Sequence, residues 1–430
     1  MHELTTLIKN DMLPALGVTE PGAIAFCVAK TRSYISGDLK KLTVALNSGM
    51  YKNAFTCGIP NSKEVGNVFA AALGYVAGNA DKGLEALADV TAEDNVSAQK
   101  LIDEGKIAVK LDGITSRIFI KATIETTEGT AAVTIRDTHT GITKIEANGE
   151  VLFVSEGESL ADTTEAEAAA AIHSIHSYTL AEIFDYIKNV PAEEISFVSE
   201  AYRVNLELFN EGLENPRTTF ARHLLAMNGS KVISENEMTT ASLLCNAAIE
   251  ARVIGLDKPA MSITGSGAHG IIATMPLYGY AKIHNIPDET LWRATMLSYL
   301  VCTFIKEYSG RLSAFCGCAI AAGSGMACAL VYLKGGGLTE MEYTLCNMAS
   351  SITGMICDGG NQGCTMKGVA ACDAAFRSVE FAMNGIHIDS VHGINGKTSE
   401  ETMRNMGLIA SPGMIGTEKT IVEIFEEKLK

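Results

Sequence analysis

The run Leu312 to Leu333, LSAFCGCAIAAGSGMACALVYL, carries no charged residue and is bounded by Arg311 and Lys334. Such a segment has to be buried, either in a bilayer or in protein. Its length passes the membrane test, but Ala, Gly, Ser and Cys dominate it, and these residues are weak on insertion scales. The tripeptide Gly335 to Gly337 follows directly, and no partner span accompanies it. The run therefore predicts a central buried helix packed closely through small residues, not a membrane span. At 430 residues, with 47% hydrophobic and 20% charged content, the chain is long and apolar enough to build two or three domains with their own cores.

The chain changes texture partway along. Beyond Lys40, KLTVALNSGMYKNAFTCGIP alternates apolar and polar residues on either side of an Asn47-Ser48-Gly49 turn, which predicts paired strands. Val65 to Gly78 reads as a small-residue helix. Further strands are expected at Ile107 to Leu111, Arg117 to Glu125, Ala131 to Arg136, Lys144 to Ala147 and Val151 to Val154. Helices on a mainly antiparallel sheet are the economical arrangement. The acidic, alanine-rich stretch Ser155 to Ala171 reads as a linker or a surface helix. After it, helical spacing recurs at Thr179 to Lys188, Ser196 to Leu213, Thr239 to Ile254, Glu289 to Tyr308 and Thr339 to Ser351, between Gly, Pro and Asn breaks. The fold class expected is α+β, with the sheet in residues 1–170 and an all-helical part in 171–430.

A formal net charge of −16 with no basic patch argues against nucleic acid and anionic membrane as partners. Met1 to Asn10 lacks the apolar core of a signal peptide, so a cytoplasmic location with reduced thiols is expected. The small-residue helices suit a homo-oligomer.

Chemistry concentrates in the segment Met355 to Lys367, MICDGGNQGCTMK. Cys357 and Cys364 lie seven positions apart, with Gly359, Gly360 and Gly363 between them. Soft thiolates on a glycine backbone that can approach inorganic sulfide are what an iron–sulfur cluster needs. Phe315 to Ala319, FCGCA, offers a third thiolate at Cys316 or Cys318. Three protein thiolates leave one iron of a cluster open to act as a Lewis acid. The competing reading is a structural ion in a non-catalytic scaffold, although the spacing is not that of a zinc CxxC pair. Cys245, Cys302, Cys328, Cys346 and Cys372 sit in apolar helical runs and read as core.

Two further segments carry candidate groups. In Gly17 to Lys30, GVTEPGAIAFCVAK, Thr19 reads as an N-cap, Glu20 and Pro21 suit the first helical turn, and Cys27 is either a proton-transfer group or core. A helix start with a threonine hydroxyl can bind a carboxylate. Ser48, Lys52 and Asn53 add polar groups around the predicted strand turn. Ser262 to Gly270, SITGSGAHG, is a loop able to present backbone amides to an anion or a cluster, or a simple connector.

Taken together, the TEP segment with its downstream cysteine, SGMYKNAF, IPNSKEVG, SGRLSAFCGC and MICDGGNQGCTMK resemble the L-cysteine desulfidase family, which is related to the iron–sulfur L-serine dehydratases. The likeness covers nearly the whole chain. It implies α,β-elimination from a small amino acid, L-cysteine giving pyruvate, ammonia and hydrogen sulfide, without pyridoxal phosphate. It implies a [4Fe-4S] cluster with one open iron, held by Cys357, Cys364 and either Cys316 or Cys318. It also implies Cys27 as the base, and Thr19, Ser48, Lys52 and Asn53 as substrate-binding groups. The implied architecture is an N-terminal α/β sandwich, residues 1–170, and an all-helical cluster domain, 171–430, with the site between them. His269 departs from the amide-bearing residue expected there. An L-serine dehydratase, with hydroxide as leaving group, is the alternative.

Overall fold

Apolar residues at every second position of the first half become one face of a sheet. The computed structural model describes residues 1–155, 174–310 and 312–429, so the stretch expected to be a linker or surface helix lies, but for its first residue, outside the described residues. After a short β1 (Leu13–Leu16) come β2 (Leu39–Leu46), β3 (Ile107–Leu111), β4 (Phe119–Thr126), β5 (Thr130–Arg136), β6 (Ile142–Ala147) and β7 (Glu150–Val154). The last six form one sheet in the order β3-β2-β4-β5-β6-β7, antiparallel except where β2 meets β3. Val44 on β2 pairs with Ala122 on β4, and Ala122 pairs with Val133 on β5. With Leu42, Leu46, Ile120, Ile124 and Ile135, all fully buried, they make a continuous apolar face. Helix Thr19–Arg32 lies across β4 and β5 on that face, and helix Asn67–Val76 packs against it. Gly74 lets the two backbones meet, since a Cβ there would come within 2.7 Å of the Ala25 Cα.

The strand turn expected after Leu46 is a helix, Ser48–Asn53. The Asn47 side chain explains the change of direction: its Nδ2 donates to the Thr115 carbonyl at 2.9 Å and its Oδ1 accepts from the Phe119 amide at 3.0 Å. These bonds pin the end of β2 to the start of β4, so the chain leaves the sheet.

In the second half, helix Glu237–Val253 is buried from Thr240 onward on all sides. It packs against Ser199–Glu214, Gly267–His284 and Gly363–Met383. β8 (Pro259–Ser262) pairs antiparallel with β1, so the first strand of the chain lies beside the helical half. The uncharged run is buried as expected but is not one helix. Its first residues are irregular, Cys318–Ala322 forms a wide π-type turn, and a regular helix spans only Gly323–Leu333. The reason is a bridge between Phe315 and Ile356, which uses backbone groups a helix would need. Among the described residues no helix is long and apolar enough to cross a membrane.

Candidate functional site

The same bridge brings the two cysteine segments together. The Cys316 amide donates to the Met355 carbonyl at 3.0 Å, and the Cys357 amide donates to the Ala314 carbonyl at 2.6 Å. Gly359 then turns the chain at a φ of +103°, where a Cβ would lie 2.6 Å from the Lys52 carbonyl oxygen, so only glycine fits. Cys364 stands at the start of helix Gly363–Met383, and its Sγ donates to the Gly359 carbonyl at 3.4 Å.

Three thiols perturb one another in this loop. Burial, then the neighbouring Cys357, pushes the Cys364 thiol up to about 11. A hydrogen bond with Cys318, then burial, raises Cys316, while burial raises Cys357 against the pull of the Lys52 charge. Against this, a backbone group lowers each thiol: Ala319 for Cys316, Gly359 for Cys357 and Asn361 for Cys364. Lys367 sits beside all three. Burial pulls its pKa down, but the ion pair with Asp358 and the three thiols outweigh that and hold it above its ordinary value. Cys318 acts on Cys316 and also on the buried Cys245 and Cys302.

Among the described residues no three His, Cys, Asp or Glu side chains converge tightly enough to hold a single metal ion. One ion draws thiolates to about 2.3 Å, whereas the irons of a cluster take one thiolate each and leave the sulfurs further apart. Three soft thiols, with a cation to offset their charge, fit an iron–sulfur cluster better than a tetrahedral ion.

Lys52 ties this loop to the rest of the protein. Its fully buried ammonium donates to the Ser313 carbonyl at 3.0 Å, the Cys357 carbonyl at 2.9 Å and Glu418 Oε2 at 2.7 Å. All three N–H donors are used, so Lys52 holds both cysteine segments and has none left for a substrate. Ser48 is likewise engaged, donating to the Thr115 carbonyl at 3.3 Å and accepting from the Thr115 amide at 3.2 Å. Both residues, expected to bind substrate, make these bonds within the protein.

A charged patch adjoins the cysteines. Glu20, in the first turn of helix Thr19–Arg32, accepts from Asn53 Nδ2 at 2.8 Å and lies 3.9 Å from His139 Nε2. Burial raises the Glu20 pKa, but His139, Asn53 and the charge of Arg252 more than offset this and bring it down to about 2. The other end of the Asn53 amide, Oδ1, faces Cys357 Sγ at 3.8 Å, so Asn53 links the patch to the thiol loop. Cys57 marks the same junction: burial first raises its thiol, and the charges of Glu20 and Cys364 both add to that. Thr19 Oγ1, His139 Nε2 and Arg252 Nε are buried without a hydrogen-bond partner among the described residues.

The depressed Glu20 pKa is a stability statement. Its contribution is fully present above the ordinary value of 4.5 and is lost as pH falls toward about 2. The shift corresponds to about 3 kcal/mol. Urea unfolding between pH 7 and pH 3 should show this acid loss in the wild type and a smaller one in Glu20→Gln.

Cys27, expected as the base, is fully buried between its helix and the sheet. Its thiol donates to the Val133 carbonyl at 3.5 Å beneath the sheet, and burial pushes it up to about 12. A base needs a lowered thiol pKa, which takes a cation or a helix N-terminus, and neither acts on Cys27. Cys27→Ala should therefore keep turnover within about twofold, with a stability loss of about 1–2 kcal/mol from the lost packing. Steady-state rates and a urea midpoint check both. Thr19 is also not the N-cap: Val18 holds that position, and Thr19 is the first helical residue.

His269 backs the cysteine loop. Its Nδ1 bonds to Thr264 Oγ1 at 2.5 Å, and a Cβ on Gly317 would lie 2.8 Å from its Nε2. Burial, then the charges of Lys306 and Arg252, depress its pKa, so the ring is neutral. The glycine-rich segment around it turns only as far as Ser266, and Gly267 already opens a helix. Glu20, His139, Arg252, Lys367 and Glu418 were not singled out from sequence.

The sequence pattern of the serine dehydratase alpha chain family matches residues 81–423. A UPF0597 protein of Clostridium botulinum strain Hall is 40% identical over 429 residues, covering 99% of each chain. A UPF0597 protein of Caldanaerobacter subterraneus is 35% identical over 425 residues, 99% of this chain and 98% of its own. Another from Photobacterium profundum is 33% identical over 427 residues, 98% of this chain and 97% of its own.

Proposed function

We propose, from the premise that this chain belongs to the serine dehydratase alpha chain family, that it is an iron–sulfur-dependent lyase converting L-cysteine to pyruvate, ammonia and hydrogen sulfide without pyridoxal phosphate. The observation that carries the reading is the trio Cys316, Cys357 and Cys364, brought together by the backbone bridge between Phe315 and Ile356, with all three thiols acting on Lys367. Those thiolates would hold the cluster. When bound, it supplies an open iron, a Lewis acid for the leaving sulfur.

The remaining chemistry falls to the protein. The Cα proton of an amino-acid zwitterion is weakly acidic and needs a positioned base. We assign that proton to His139 Nε2, which is buried, unpartnered and 3.9 Å from Glu20. The ionised Glu20, 3.9 Å away, offsets the imidazolium charge as it forms. Asn53 keeps Glu20 in register with Cys357. Lys367 offsets the negative charge of the thiolates, and the Asp358 ion pair holds it there. Loss of proton and sulfide leaves aminoacrylate, which tautomerises to an imine and is hydrolysed by water without further help.

L-serine is the second reading, supported by the family name, because the same site could release hydroxide. Anaerobically reconstituted protein should turn over L-cysteine with the larger kcat/KM. A larger value for L-serine would make the chain a serine dehydratase, and turnover of neither would end the lyase reading.

A further inference from the structure

The polar patch holds an imbalance that nothing among the described residues resolves. Arg252 is 4% exposed, yet its Nε has no acceptor. Two residues earlier in the same helix, buried Glu250 takes the amides of Thr219, Phe220 and Ala221, so this fold does satisfy buried charge nearby. An unpaired buried guanidinium N–H points to a missing anionic partner. The head of helix Gly267–His284 lies against it, since a Cβ on Gly267 would come within 2.8 Å of Nε. The first-turn amides of that helix have no intrahelical acceptor and favour the same kind of partner. On the other side stands Glu20, ionised, with its charge acting on Arg252 although no hydrogen bond joins them.

We infer that a head-group site for a free α-amino acid lies between Arg252 and Glu20. The substrate carboxylate takes the Arg252 Nε–H and the first-turn amides of helix Gly267–His284, and the ammonium takes the Glu20 carboxylate. The inference deepens the lyase reading and rests on it for the substrate class. The two poles come from different halves of the chain, Glu20 from the helix over the sheet and Arg252 from the buried helix Glu237–Val253. Asn53 lies between Glu20 and the Cys357 sulfur, so the side chain of a bound amino acid would lead toward the thiol loop. The site reads both charges of the head group and is indifferent to the leaving group.

The test is binding rather than turnover. Isothermal titration of the purified full chain uses L-alanine, propanoate, which lacks the amine, and ethylamine, which lacks the carboxylate. L-alanine should bind, and each fragment should bind more weakly by about tenfold or more. Glu20→Gln should weaken L-alanine by a similar factor and leave propanoate unchanged. Arg252→Gln should weaken L-alanine and leave ethylamine unchanged. If either variant fails to fold, the three ligands on the wild type still decide. Propanoate binding as tightly as L-alanine, or both folded variants binding L-alanine normally, would overturn the site. Head-group binding as described without any elimination would support this site while ending the lyase reading. Turnover of L-cysteine with binding indifferent to Glu20 and Arg252 would do the reverse.

Discussion

Lys52→Met should destabilise the protein by about 3–5 kcal/mol and strip it of bound iron. The stability loss follows from breaking a buried ion pair, which leaves Glu418 charged, 6% exposed on its side chain and without its cation. The loss of iron has a separate cause. Lys52 holds the carbonyls of Ser313 and Cys357, one in each cysteine segment, and without it both lose a hydrogen bond. Adding Glu418→Leu separates the two effects. The double variant removes the stranded charge and should recover most of the stability, while iron retention stays low because the two carbonyls remain untethered. Urea midpoints and iron content of anaerobically purified protein read the two quantities independently. Iron content at the wild-type level in Lys52→Met would show that the clamp does not hold the loop.

The second large effect is expected at the thiols. Cys357→Ser and Cys364→Ser should each abolish cluster loading and turnover together, because a hydroxyl is a harder and much less acidic ligand than a thiol. Cys316→Ser should behave in the same way. Cys245→Ser and Cys372→Ser should keep both: these two free, buried thiols face each other in the core, on helices Glu237–Val253 and Gly363–Met383. Iron and sulfide analysis beside turnover distinguishes the two groups. Retained iron in Cys364→Ser would remove it from the ligand set.

What could be read from the sequence was whatever is local. The alternation Arg117 to Glu125 declares a half-buried strand, and β4 lies at Phe119–Thr126. Helical spacing with Thr179 ahead of it declares a helix, and Thr179 with Glu182 forms its capping box. The cysteine segments were legible because glycine between thiols is costly in a plain helix. What could not be read depends on partners far along the chain. Ser48–Asn53 is helical because Asn47 bonds to Thr115 and Phe119. The burial of Cys27 against the sheet was not legible because helix Thr19–Arg32 is buried almost all round, so its pattern carries no stripe to say which face meets the sheet. The choice between Cys316 and Cys318 turns on the bridge from Phe315 to Ile356, which no spacing encodes. Arg252 and His139 belong to no motif, and only their missing partners draw attention to them.

The central claim, that three thiols of this chain hold a catalytic iron–sulfur cluster, meets its most direct test in protein purified without air. Its iron and acid-labile sulfide should be present in equal amounts, its solution should absorb in the visible, and L-cysteine should both perturb that spectrum and yield pyruvate. A colourless protein that takes up neither iron nor sulfide on anaerobic reconstitution, with Cys316, Cys357 and Cys364 all reduced, would contradict the account.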